Sequence, residues 1–156
     1  MINEELIFYT LAQRMAMARW TRDSDPPNAR RFLTVSRRVV LFADCPLQPA
    51  CYQAEHGDTV AQVTGMPYKT TLEAKWIIYQ NVTKDPKALG AVENNLIIQA
   101  VYAALAPLTD DPGFSDGRNT LGGLVHHCFI SGALFKDPGD LDGQGMMVIP
   151  IKVLVP

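Results

Sequence analysis

A chain of 156 residues, 47% hydrophobic and 19% charged, has the size and composition of one globular domain, spanning 1–156, that can bury a core without disulfides or a structural metal. Its net charge of −2 gives no electrostatic reason to expect nucleic acid or a membrane as the main partner. No apolar run approaches the roughly 20 residues that span a bilayer, and the acidic start Met1–Glu5 is unlike a signal peptide.

In chain order, the first element is a helix from about Asn3 to Trp20. Asn3 is its N-cap, Glu4 and Glu5 suit the positive end of the helix dipole, and Ile7, Leu11, Met15 and Ala18 recur at helical spacing. A loop follows at Asp23–Pro27, because Pro26 disfavours helical geometry before it. From Arg30 to Phe42, β-branched residues mix with paired arginines, and a strand is expected from Val35 onwards. A second extended piece, Ala50–Glu55, follows Pro46 and Pro49, and His56-Gly57-Asp58 opens a polar, turn-like passage to Pro67.

Lys69–Asn81 is the clearest strand. Leu72, Ala74, Trp76 and Ile78 face one way, and Thr71, Glu73, Lys75 and Ile77 the other. Ile77 and Tyr79 fall at the end of the wetter face, where a partner could cover them. Lys84-Asp85-Pro86 closes the strand, and a second helix runs from about Ala91 to Leu105 on a stripe of Leu96, Ile97, Ala100, Val101 and Ala104, ended by Pro107. Thr109–Gly123, rich in Asp, Gly, Pro and Ser, is expected to be a long surface loop. The last third is a hairpin in outline: apolar Leu124–Phe135, turn-like Lys136–Gly145, then alternating Met146–Val155. Pro150 cannot donate to a ladder, which predicts an edge position or a bulge. By themselves these elements fit an α/β or an α+β domain with large loops.

No motif carries chemistry. His126-His127 cannot chelate one ion from a regular strand, since adjacent residues face opposite sides, and His56 is remote. Leu121-Gly122-Gly123 lacks the Lys-Ser/Thr pair of a phosphate loop. Asp137–Gly143 lacks the length and terminal glutamate of a calcium loop, and reads as a turn. Ser36 and Ser131 have no nucleophile-elbow context. No catalytic residue, cofactor or metal site is expected. Cys45, Cys51 and Cys128 read as reduced thiols, with a Cys45–Cys51 bridge as the alternative. Arg30-Arg31 and Arg37-Arg38 form the one basic cluster, either solvated charge or a grip for an acidic partner surface or for DNA in a pore.

Several stretches taken together resemble a known family. They are Thr34-Val35-Ser36-Arg37-Arg38, Gln48-Pro49-Ala50, the block Thr120-Leu121-Gly122-Gly123-Leu124-Val125-His126-His127-Cys128, then Gly139-Asp140, Gly143-Gln144 and the ending Val148–Pro156. They are similar to the tail-terminator (tail-completion, minor tail) proteins of long-tailed bacteriophages and prophages, most strongly over Thr120–Pro156. The resemblance implies an α+β fold, a mixed, mostly antiparallel sheet flanked by two main helices with long loops, assembly as a hexameric ring, and a virion-tail protein made in the bacterial cytoplasm. It also implies that the ring caps the tail tube, stops its polymerisation and offers a surface to a head-completion or neck protein, with DNA passing through the lumen. The free subunit would be either a monomer or the ring. Interface residues expected on this reading are Arg30, Arg31, Arg37, Arg38, Ile77, Tyr79 and Pro150, with the segments 22–31, 56–68 and 109–123 ordering on contact. The competing readings are a head–tail connector or tube-related protein of similar fold, and a small cytoplasmic enzyme whose site forms only in three dimensions.

Overall fold

The computed structural model describes residues 3–22, 25–82 and 90–155. The expected turns at Asp23–Ser24 and Lys84-Asp85-Pro86 lie outside these residues. Helix α1 (Glu4–Met15) begins as its sequence predicts: the Asn3 side chain accepts from the Leu6 N–H at 3.0 Å, and Glu4 and Glu5 occupy the first turn. It stops at Met15 rather than at Trp20, because the chain turns so that Trp20 can leave the helix axis. Trp20 pairs with Arg30 through the backbone, packs on Phe32 at 5.2 Å, and donates its indole N–H to Glu93 at 2.9 Å. Ala18 stays buried although it is no longer helical.

The strands are β1 (Thr34–Ser36), β2 (Ala50–Ala61), β3 (Lys69–Asn81), β4 (His127–Ile130), β5 (Phe135–Asp137) and β6 (Gln144–Val155). They form one sheet in the order β1-β2-β3-β6-β4, with β5 also on β6, and every pairing is antiparallel except β1 with β2. Helix α2 (Gly90–Leu105) and α1 cover one face. The α+β class is as expected. The alternation read along β3 is realised, with Leu72, Ala74, Trp76 and Ile78 all fully buried beside Met147, Ile149, Ile151 and Val153 of β6. Gln53 is buried among them. Its amide donates to the Phe8 carbonyl and accepts from the Trp76 indole, so no polar group is left without a partner there.

Three expectations are corrected. The passage from His56 is not a turn: β2 continues to Ala61, paired with β3 down to Lys69, and the register shift between Glu55 and Gly57 absorbs one extra residue. Backbone pairing with a strong strand overrides the weak strand propensity of Glu55–Asp58. The strand expected from Val35 shrinks to Thr34–Ser36, after which the chain leaves the sheet and takes a 3-10 turn at Phe42–Asp44.

Pro150 is the third correction. Its strand is not at an edge, since β6 lies between β3 and the β4/β5 pair. The Ser131 N–H donates to the Pro150 carbonyl at 3.1 Å, so the backbone of Pro150 faces the β4/β5 side. On that side β4 ends at Ile130 opposite Ile151, and β5 starts at Phe135 opposite Val148. The missing donor falls in the interval between the two short strands. An interior strand accommodates the proline because its neighbour is split at that point.

On the other face of the sheet, residues 37–49 fold back over a second, smaller core of Cys45, Ala50, Tyr52 and Tyr79, flanked by Val40, Phe42, Ile77 and Met146. The Tyr52 phenol, pushed up to about 12 by burial, stays protonated and donates to the Cys45 sulfur. Cys51 belongs to the main core instead, so Cys45 and Cys51 sit on opposite faces of the sheet. All three cysteines are free and buried.

Candidate assembly surfaces

The basic cluster does not act as one patch. Arg37 is clamped between two carboxylates: its guanidinium donates to Glu55 of β2 and, at 2.6 and 3.1 Å, to both oxygens of Glu5 in the first turn of α1. These bonds hold the Glu5 carboxyl below the usual range and keep Arg37 firmly protonated. The clamp ties helix, β1 and β2 together at the open side of the sheet. Arg30 is likewise occupied, its Nε 2.6 Å from Asp25. Arg31 and Arg38 are exposed. Of the four arginines proposed as contacts, the tertiary structure thus uses Arg30 and Arg37 internally.

Tyr79 is covered by the chain itself, and Ile77 is half-buried beside it. Tyr79 is only 6% exposed; its ring packs on Phe42, and its hydroxyl donates to the Val40 carbonyl at 2.8 Å. The face that strand alternation marks as wet is closed here by residues 37–49, a non-local contact that strand periodicity does not encode.

The segment 109–123 is knotted internally rather than loose. Asp111 accepts from Gly113 N, Thr120 N, Thr120 Oγ1 and Gly122 N. Asn119, fully buried, donates to the Leu105 carbonyl and accepts from Arg14 and from Leu121 N. Arg14 in turn donates to the Ala104 and Ala106 carbonyls, capping the C-terminal end of α2 with a positive charge. A cavity of about 370 Å³ lies beside these groups, lined in part by Thr10, Gln13, Asp110 and Gly122, but its buried Arg14 and Asp111 already have partners. The histidines have separate partners: His126, just before β4, places Nδ1 3.2 Å from Arg118 Nη1, while His127 Nδ1 accepts from Asn119 N at 3.2 Å. Burial holds the His127 pKa below its ordinary value. Among the described residues, no group of three or more His, Cys, Asp or Glu could hold a metal ion, and no helix is long and apolar enough to cross a membrane.

Two open features bear on assembly. The outer edge of β2 from Gln53 to Ala61 has no strand partner among the described residues, since β1 covers only Ala50–Tyr52. Beyond it, the β2–β3 hairpin ends in Val60-Ala61-Gln62-Val63-Thr64-Gly65-Met66-Pro67-Tyr68, nine consecutive exposed residues without a charge. Val60, Val63, Met66 and Tyr68 are 59%, 66%, 54% and 60% exposed. A soluble surface rarely concentrates apolar side chains in this way unless something covers them. In the sequence this run lies inside the polar passage from His56 to Pro67, and its lack of charge is the local signal that sets it apart. The second open feature is an apolar groove of about 350 Å³ between α1 and β1, lined by Tyr9, Ala12, Met15, Ala16 and Val35, with Arg37 at its rim.

The fold and these surfaces define an α+β protein with an open sheet and uncovered apolar features suited to association. No model of a known protein family matches the chain, and no curated protein matches it.

Proposed function

We propose that the chain is a tail-terminator subunit of a long-tailed bacteriophage or prophage, a structural virion protein that works by assembling into a ring of six copies. The ring caps the tail tube, blocks addition of further tube subunits and presents its other surface to the head-completion protein. The residue pattern over Thr120–Pro156 supports the family. The observation that carries the assembly role is the uncharged, wholly exposed hairpin tip at 60–68. Such a tip costs solubility in a monomer and contributes apolar burial only in an assembly.

A ring needs two different surfaces that meet repeatedly until the rotation closes. The hairpin tip and the α1–β1 groove are two such surfaces on one chain. Arg31 and Arg38, exposed, are the arginines of the basic cluster available to an acidic partner or to DNA in the lumen. Deleting the gene tests the role: overlong or unstable tails are expected in electron micrographs of the particles. Tails of normal length that merely lack heads would favour a connector and sink the terminator reading.

A further inference from the structure

The tip and the groove have matching character. The tip carries no charge across nine residues, and apart from the neutral Gln62 and Thr64 its side chains are aliphatic, thioether and phenol. The groove is apolar, and its one charged group, Arg37, is already neutralised by Glu5 and Glu55. A strongly acidic or basic ligand would find no counter-charge in it. Met66 and Tyr9 add a favourable pairing, because a thioether packs well against an aromatic ring. At the margins, exposed Asp58 at the base of the tip and exposed Arg38 beside the groove carry opposite signs.

The two surfaces cannot meet within one molecule. Ser36, at the groove, lies beside Tyr52 of β2. Ala61, at the base of the tip, is nine residues further along the same strand, about 30 Å at the usual rise of a strand. A tip that fills a groove of this kind therefore fills that of another copy. We propose that the hairpin tip of one subunit inserts Val63 and Met66 into the α1–β1 groove of the next, and that this knob-in-groove contact is the repeating interface of the ring. The inference rests on the ring reading above and names the surfaces that make it. The contact is heterologous: a subunit that fills its neighbour's groove keeps its own groove open for a third.

The test uses two variants of the full chain. Val63→Asp with Met66→Asp puts charge on the tip, and Ala16→Arg fills the groove. All three positions are exposed, and circular dichroism and thermal melting verify folding. In sedimentation velocity over a concentration series, wild type is expected to self-associate, and each variant to do so roughly thirtyfold more weakly or worse, the loss of a central interface contact. A one-to-one mixture of the two variants retains one intact tip and one intact groove, and is expected to give a heterodimer that grows no further. Variants that assemble like wild type, or a mixture that stays monomeric, would overturn the interface while leaving the ring reading intact. A wild type that remains monomeric at every concentration would also overturn this interface as sufficient for assembly, whereas the terminator role itself is decided by tail length in particles.

Discussion

The carboxylate of Asp111, 6% exposed, takes four donors from the loop that it opens, with Thr120 supplying both its backbone N–H and its hydroxyl. Burial alone would raise this carboxyl, but the donors outweigh it and hold it below the ordinary range. Its folded pKa is depressed, so its contribution to stability is complete above the ordinary aspartate pKa of about 4 and is lost as pH falls through the folded value. Asp111→Ala leaves several buried donors without an acceptor and is expected to cost about 2–4 kcal/mol in urea unfolding at pH 7. Asp111→Asn, which keeps one acceptor oxygen and the shape, should cost less. A neutral alanine variant would remove Asp111 as the organiser of the loop. Composition announces a loop between Thr109 and Gly123, but the pairing of Asp111 with a residue nine positions on follows only from the way the chain closes on itself.

Arg37 makes the same point with the opposite charge. Nothing local distinguishes it from Arg38, yet one is held between two glutamates and the other is exposed. Glu5 is titrated below its usual range, so the clamp is complete at neutral pH and opens as pH falls through the depressed Glu5 value. The Glu5 side chain is 74% exposed, so its arm of the clamp is also weakened by salt, and Arg37→Ala is expected to cost about 1 kcal/mol or less. An NMR titration of Glu5 should show its midpoint return towards the ordinary glutamate value in that variant. An unmoved midpoint would mean that the clamp does not hold in solution.

At the scale of elements, β6 and the β2–β3 hairpin separate what pattern can and cannot say. The alternation of Met147, Ile149, Ile151, Val153 and Val155 identified the buried face of β6 correctly, because period-two side-chain direction is a local property of an extended chain. Its position in the sheet does not follow from the same pattern, because Pro150 reports only that one donor is missing, not that the neighbouring strand is split there. Pro150→Ala should therefore change stability by less than about 1 kcal/mol, since the restored N–H points into the interval between β4 and β5. Lys152→Pro, on the same strand opposite Glu73 and Phe129, should cost about 3 kcal/mol or more by breaking a ladder. Equal effects of the two in denaturant titrations would contradict this placement of Pro150. The hairpin was missed for a related reason. His56-Gly57-Asp58 has turn composition, and only the partner strand, with a bulge at Gly57, turns it into a ribbon reaching the exposed tip.

At the scale of the whole molecule, the design is a main core beneath two helices, a smaller core beneath residues 37–49, and an open side where β1, the outer edge of β2 and α1 meet. The smaller core buries Tyr79 and half-buries Ile77, which removes Tyr79 from the candidate contacts and shifts attention to the tip and the groove. Both helices, strands β3 and β6 and the main buried stripe were determined by the sequence alone. Each rests on periodicity or capping, which are local. Which face of β3 is closed, which arginines are free, where Pro150 sits and where apolar surface is left uncovered were decided only by the tertiary structure. Those outcomes depend on contacts between residues far apart in the chain, which no local pattern specifies.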